Sequence, residues 1–599
     1  MGPVARIARE IKFLSGLART LWAVRKIKPE SDDLIADDFE RAVDRFADHT
    51  AIVFENERLT YRQLEALANR FAAWADAHGV AAGETVALLL PNRSEYVAAW
   101  AGLSKVGVAT ALINNNLTGA ALAHCLSISG ASHVLTDVET LAAVDTIRAG
   151  LPRTLTYWLI DAEQDLTPDR RALDLKTPKL APERPPRARR AGIKAKDVAL
   201  YIYTSGTTGM PKAAKITHMR AQLYMRSFAG ATNTKASDKI YCVLPLYHAT
   251  GGLCGVGSAL LKGGTVVLRR KFSATHFWDD VRTHECTEFV YIGELCRYLV
   301  NQPEAANERA HSLRLAFGNG LRPDVWAQFQ ERFGVKDILE FYGSTEGNVS
   351  MFNFDGHTGA VGRVPRYLRK NFSVRLLKFD IETEMPVRGE DGLCIAADLG
   401  EPGEAVGLIK EDARHNYTGY ADKAASERKI LRNVFEHGDM YFRTGDLMRE
   451  DADGYFYFVD RIGDTFRWKG ENVSTTEVAE AIGRYPGVDE VIVYGVKIDK
   501  LDGRAGMAAI TPGPEFKLEG LRDFLVRELP GYARPLFLRL QPTMETTGTF
   551  KYRKGDLVRE GFDPAKIEHA LYFDDPEQFA YVPLTPDVYA RVQSGGYKL

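Results

Sequence analysis

Short apolar segments alternate along this chain with segments of helical spacing, and that alternation narrows the available folds more than any other feature. Thr85-Val86-Ala87-Leu88-Leu89-Leu90 is almost wholly apolar, so as a strand it must be covered on both faces; Pro91-Asn92 ends it. Residues 61–77 before it and 95–106 after it are helix-patterned, and 134–136, 157–160 and 265–268 read as further strands. From about Asp38 this βα rhythm predicts an α/β fold, a large N-terminal domain of helix-covered β-sheets. Residues 167–196, rich in Pro and Arg, read as an exposed connector. After Arg461-Ile462-Gly463-Asp464 the pattern turns to compact α+β, with helices near 477–484 and 518–529 and a strand at 490–494. The expected division is a basic segment over 1–30, a large domain over 31–460 and a smaller α+β domain over 461–599.

Charge and cysteine usage exclude several function classes. A net charge of −2 and a pI of about 6.7 argue against a nucleic-acid partner. Cys125, Cys242, Cys254, Cys286, Cys296 and Cys394 show no metal-ligand spacing and read as free thiols of a reducing, cytoplasmic compartment. No apolar run reaches the roughly 18 residues a spanning helix needs.

The N-terminus departs from this neutral average. Arg6, Arg9, Lys12, Arg19, Arg25, Lys26 and Lys28 face a single acid, Glu10, while Val4, Ile7, Ile11, Leu14, Leu17, Leu21 and Val24 recur at helical spacing. Such a helix suits an anionic membrane surface, the body of the protein or a targeting segment. It lacks a continuous apolar core and a small-residue cleavage site, which argues against a secretory signal, and peripheral membrane contact at the cytoplasmic face is the favoured reading.

Chemistry concentrates in Thr204-Ser205-Gly206-Thr207-Thr208-Gly209-Met210-Pro211-Lys212. Two glycines admit close backbone approach, four hydroxyls offer hydrogen bonds and Lys212 adds a cation, a composition suited to phosphate. Residues 198–203 before it and 213–218 after it read as strands, so this is no P-loop, which would open a helix with Gly-Lys-Ser/Thr. A surface hairpin turn is the plainer alternative; the length and the closing lysine favour phosphate. A second motif, Glu340-Phe341-Tyr342-Gly343-Ser344-Thr345-Glu346-Gly347, sets an aromatic plane, a hydroxyl and a carboxylate on a turn. There Tyr342 suits base stacking, Thr345 a phosphate oxygen and Glu346 a Mg²⁺ ion. A third, Arg443-Thr444-Gly445-Asp446, places Asp446 on a turn where it can accept from ribose hydroxyls. A fourth is Thr547-Gly548-Thr549-Phe550-Lys551.

Four motifs in this order resemble the adenylate-forming enzymes: acyl-CoA synthetases, luciferases and peptide-synthetase adenylation domains. The resemblance runs from about Asp38 to about Glu560. By it, residues 203–212 form the phosphate loop, Gly318-Asn319-Gly320 faces adenine, Tyr342, Gly343, Ser344 and Thr345 line the nucleotide, and Asp446 and Arg461 hold the ribose end. Lys551 matches the lysine required for adenylation, although the usual Gly-Lys is stretched here. Residues 460–475 and 291–299 are similar to the fatty acid transport protein branch, the very-long-chain acyl-CoA synthetases. The hinge position two residues after Arg461, usually Asp or Lys, is Gly463.

The resemblance implies a fatty acid–CoA ligase using ATP, Mg²⁺ and coenzyme A. Lys551, Thr345, Glu346 and Lys212 would stabilise the charge of acyl-AMP formation, after which the domain beyond Gly463, a mobile lid, would reorient for thioester formation. His248, beside the glycine-rich 251–257 run, reads equally as a gate on the acyl pocket or as a satisfied structural histidine. Two rival functions stand beside the ligase: an acyl-AMP ligase loading a carrier protein, and a membrane-surface facilitator of fatty acid uptake.

Overall fold

The computed structural model describes residues 3–151, 155–164, 167–204, 210–499, 501, 503–545 and 554–599. Its contacts divide the chain into two compact units, one of residues 1–363 and 407–431, the other of residues 364–406 and 432–599. This cut differs from the 460/461 boundary expected from the sequence. One reason lies inside the second unit, where Asp460 receives the backbone N–H of Thr475 at 2.6 Å and its hydroxyl at 3.0 Å, stitching the strand before Gly463 to the helix after it.

Two sheets organise the first unit. One runs Arg170–Ala172, Thr156–Leu159, His133–Thr136, Thr85–Leu89, Ala109–Leu112, β1 (Val198–Thr204) and β2 (Lys212–Thr217). Every neighbouring pair is parallel except β1–β2, a hairpin whose mouth is the facing pair Thr204 and Lys212. The second sheet is built on β3 (Lys239–Cys242), β4 (Glu288–Ile292), β5 (Leu315–Asn319) and β6 (Asp337–Gly343), side by side in the order β6-β5-β4-β3 and all parallel. Thr265–Leu268 and Thr50–Phe54 extend it in parallel, and Ser350–Asn353 and Glu57–Thr60 close its edges antiparallel. The apolar run is buried from Val86 to Leu90, as a parallel strand under helices requires. The six cysteines are buried and free of disulfides.

Residues 167–196 form a largely exposed connector, as their composition suggests, and it is tied down at a few points. Their arginines strap the segment to acids of the body: Arg190, 3% exposed, meets Asp37 at 2.9 Å and Glu40 at 2.6 Å, and Arg184 meets Asp44 at 2.6 Å and Glu65 at 2.7 Å. The acids these arginines pair with lie more than 100 residues earlier.

The basic N-terminal segment forms α1 (Pro3–Val24), and it is docked. Phe13 is buried edge-on against Phe354 at 5.7 Å, Arg19 donates to the Gly230 carbonyl at 3.2 Å, and Lys12 pairs with Asp337 at 2.6 Å. Gly230 belongs to α2 (His218–Ala231), on which α1 packs. Docking uses only one face. Val4, Ile7, Ile11, Leu14, Leu21 and Trp22 are all exposed, and at 3.6 residues per turn they form a second apolar stripe opposite Phe13, Thr20 and Val24. Among the described residues no helix is long and apolar enough to cross a membrane.

The second unit holds a sheet that includes Val374–Asp380, Gly403–Leu408, β7 (Met440–Glu450) and β8 (Tyr455–Arg461), the last two antiparallel. After Gly463 comes a separate sheet in the order Val488–Val496, Ala505–Pro512, Phe537–Leu540, Ala570–Asp575 and Ala580–Pro583. Its core is its own, drawn from residues 466–597 and centred on Ile492, Met507, Phe537 and Phe573.

Candidate functional site

Ligands of open parallel sheets bind beyond the carboxyl ends of the strands, and that edge gathers the first-unit motifs. β3 leads into Leu244-Pro245-Leu246-Tyr247-His248, β5 ends at Gly318-Asn319 and β6 ends at Tyr342-Gly343. Since β3, β4, β5 and β6 are parallel neighbours, these ends lie along one rim. Gly318 is needed where it stands: a Cβ there would fall 2.2 Å from the Tyr291 carbonyl oxygen of β4. Gly320 and Leu321 turn over Glu340, whose Oε1 accepts from Leu321 N–H at 2.9 Å while Oε2 accepts from the Tyr291 hydroxyl. Burial pushes the Glu340 carboxyl up to about 8.

Tyr342 and Gly343 belong to β6 rather than to a turn; the bend itself starts at Ser344. That bend is held from two sides. On one, α2 begins at a Thr217 cap, which accepts from Arg220 N–H at 3.2 Å and fixes the start of the helix. Arg220 and Tyr224, four residues apart on one face, then reach the bend: Arg220 Nε donates to Thr345 O at 3.1 Å, Arg220 Nη2 to Ser344 O at 3.2 Å and the Tyr224 hydroxyl to Ser344 O at 2.9 Å. On the other side, Asn348 Nδ2 donates to Leu408 O and His415 O, both at 2.8 Å, tying the bend to the 407–431 segment.

The same segment supplies Tyr420, 4% exposed, whose hydroxyl donates to Glu346 Oε1 at 2.6 Å. Its ring lies 5.6 Å from Lys212 Nζ, and Lys212 faces Thr204 across the hairpin. Burial, reinforced by the Glu346 carboxylate, drives this phenol far above its usual pKa, so it stays a donor. Thr204, Lys212 and Glu346 are thus joined in one cluster at the mouth of the β1–β2 hairpin. Ser205, Gly206, Thr207, Thr208, Gly209 and Lys551 lie outside the described residues.

His248 follows the β3 end, its ring 4.6 Å from that of Tyr247, and Tyr247 accepts from Asn116 Nδ2 at 3.1 Å. The glycine-rich run behind it is a π-helix, Thr250–Gly257, a geometry frequent at functional sites. In the second unit, Asp446 sits within β7, not on the turn expected for it. It faces Arg461 of β8, with 3.8 Å between Arg461 Nε and Asp446 Oδ1. Gly445, at φ +82°, kinks the strand beside it and creates the turn-like sequence signal.

Sequence reasoning missed Arg220, Tyr224 and Tyr420. The first two carried a faint signal, an Arg/Tyr pair at helical spacing directly after the phosphate strand. Tyr420 carried none, since it meets Glu346 across 74 positions.

Residues 39–400 match the AMP-binding enzyme family, and residues 477–551 match the AMP-binding enzyme C-terminal domain, a match that ends at Lys551. The chain belongs to the AMP-binding enzyme family. This AMP-binding enzyme is 42% identical over 605 residues to long-chain fatty acid transport protein 1 of Mus musculus, covering 100% of this chain and 93% of that protein. It is 40% identical over 601 residues to long-chain fatty acid transport protein 2 of Rattus norvegicus, covering 99% of this chain and 96% of that one. These relatives bear out the branch resemblance read from residues 460–475 and 291–299. Its fold is shared with an anthranilate CoA ligase solved with anthranoyl-AMP, at a TM-score of 0.73, 22% identity and coverage of 89% of this chain and 98% of that one. A Mycobacterium tuberculosis fatty acyl CoA synthetase aligns at a TM-score of 0.61, 24% identity and coverage of 88% and 99%.

Proposed function

We propose that this AMP-binding enzyme is a long-chain or very-long-chain fatty acid–CoA ligase. It activates a fatty acid with ATP to acyl-AMP and pyrophosphate, then transfers the acyl group to coenzyme A and releases AMP. The observation that carries the reading is the cluster of Thr204, Lys212, Glu346 and Tyr420, at the mouth of a hairpin whose connecting residues have phosphate-loop composition. The names of the relatives, long-chain fatty acid transport proteins, support the substrate class.

A fatty carboxylate must attack the α-phosphorus of ATP, because its own oxygen is too poor a leaving group. Lys212 offers its ammonium to the phosphoryl oxygens, and the hydroxyls of residues 204–208 offer hydrogen bonds. The Thr345 hydroxyl offers a bond to a phosphate oxygen, and the Glu346 carboxylate with phosphate oxygens fits Mg²⁺, which needs only one or two carboxylates from the protein. When bound, that ion neutralises charge on the phosphates. Lys551 serves this first half alone, and residues 461–599 rotate about Gly463 to withdraw it before the coenzyme A thiol attacks the acyl carbonyl. The backbone at Gly463, at φ +91° with open space around the Cβ position, supports a hinge there, and the separate core beyond it supports a body that moves as one; that rotation has to release the Thr475 bonds to Asp460 across the hinge. Asp446 accepts from the ribose hydroxyls with Arg461 beside it, Tyr342 stacks on the base, Gly318, Asn319 and Gly320 border it, and His248 gates the acyl pocket.

The exposed stripe on α1 favours one addition to this reading: peripheral contact with the cytoplasmic face of a membrane, from which the acyl substrate comes. The test of the ligase reading is AMP formation from ATP across fatty acids of increasing length, with and without coenzyme A. Coenzyme-dependent turnover that peaks at long chains is the expected result. Acyl-AMP without thioester would transfer the acceptor role to a carrier protein, and absence of AMP would leave an uptake facilitator.

A further inference from the structure

We infer that Tyr420 is a positioning residue of the nucleotide site, holding the Glu346 carboxylate and the Lys212 ammonium in register with each other. The inference rests on the ligase reading above and adds a residue to it. Residues 407–431 group with the first unit, although the residues on either side group with the second. This excursion brings Tyr420 against β2 through an isolated antiparallel bridge. Lys215 N–H donates to Gly419 O at 3.0 Å, Ala421 N–H donates to Ala213 O at 2.8 Å, and Tyr420 bridges Ala214. Ser426 Oγ accepts from Tyr420 N–H at 2.8 Å. The backbone of Tyr420 is therefore fixed from both sides before its side chain makes any contact.

A buried phenol must find an acceptor, and Tyr420 donates to Glu346 Oε1 at 2.6 Å. That bond fixes the rotation of the carboxylate and leaves Oε2 as the oxygen that would meet a cation. Ligand carboxylates work this way elsewhere: partners bonded behind a ligand orient it, and losing one commonly weakens metal affinity about 10–100-fold. The face of the same ring, 5.6 Å from Lys212 Nζ, attracts the ammonium and limits its sweep. One side chain thus ties together two motifs 134 positions apart (Lys212 and Glu346), so that both charges meet the triphosphate in one geometry.

The two functions of the ring are separable. Tyr420→Phe keeps the aromatic face and removes the hydroxyl; Tyr420→Leu removes both. Calorimetric titration of ATP into the full chain, with and without Mg²⁺, reads each without turnover. With Tyr420→Phe we expect the Mg²⁺-dependent gain in ATP affinity to fall about tenfold, while metal-free ATP affinity stays unchanged. Tyr420→Leu should weaken metal-free binding as well. Glu346→Gln should reproduce the loss of the Mg²⁺-dependent gain, and Tyr420→Phe added to Glu346→Gln should lose nothing further, because both act through one carboxylate. Additive losses, or an unchanged Mg²⁺ dependence in Tyr420→Phe, would overturn the inference while leaving the ligase reading intact. Wild-type protein that binds no ATP would overturn both.

Discussion

Arg220 offers a sharp test of how the Glu346 bend is held. Its guanidinium donates to Thr345 O at 3.1 Å and to Ser344 O at 3.2 Å; Tyr224 also reaches Ser344 O, at 2.9 Å. Hydrogen bonds that involve a charged group are worth about 1.5–3 kcal/mol. Arg220 is only half-buried and Ser344 O keeps its Tyr224 bond, so Arg220→Ala is charged with one such bond near the lower end, about 2 kcal/mol. If that cost falls on the transition state, kcat/KM for AMP formation drops roughly 30-fold, since about 1.4 kcal/mol is tenfold. Arg220→Lys can serve one carbonyl at a time and should lie between. The assay is AMP release under varied ATP at saturating fatty acid and coenzyme A, with thermal unfolding in parallel. Arg220→Ala within about twofold of wild type, with an unchanged Tm, would refute the claim that this arginine orders the bend.

Three further outcomes are expected. Lys551→Ala should abolish adenylation but spare transfer from preformed acyl-AMP to coenzyme A; equal loss of both halves in single-turnover assays would contradict a role confined to the first. Exchanging Ile7, Ile11 and Trp22 together for Glu should cut co-sedimentation with anionic liposomes by more than tenfold, since each buried methylene contributes about 0.8 kcal/mol, yet leave Tm unchanged because these side chains are exposed. Deleting residues 1–28 is the poorer experiment, as it also strips Phe13 and Val24 from the core. Glu340, shifted from 4.5 up to about 8, retains its proton in the folded chain where the unfolded chain has lost it; stability therefore falls as pH rises through that window and levels above it. Glu340→Gln should flatten that part of the Tm–pH curve, and an unaltered slope would assign it to other groups.

Local chemistry was legible wherever neighbours in sequence are neighbours in space. The helix expected at 61–77 is Tyr61–Ala77, and the apolar run at 85–90 is the strand Thr85–Leu89. The phosphate segment lies between two strands, as the residues on each side of it require. What was not legible shares one cause: the deciding partner lies outside the local window. Arg184 and Arg190 meet acids of the body more than 100 positions away, Asp446 sits in a strand facing Arg461 across a ladder rather than on a turn, and one face of α1 docks on Phe354 and α2.

Periodicity was enough to establish the fold class, and the order of the motifs was enough to recognise the family, because hydrophobic patterning and motif chemistry act over a few residues. Folding alone determined which side chains hold those residues in place. Arg220, Tyr224, Asn348 and Tyr420 are unremarkable in sequence, and they reach the Glu346 bend only because α2 and the 407–431 segment pack on opposite sides of it. A hydrogen bond needs its partners within about 3 Å, and nothing in a linear chain encodes that distance until the sheets have closed.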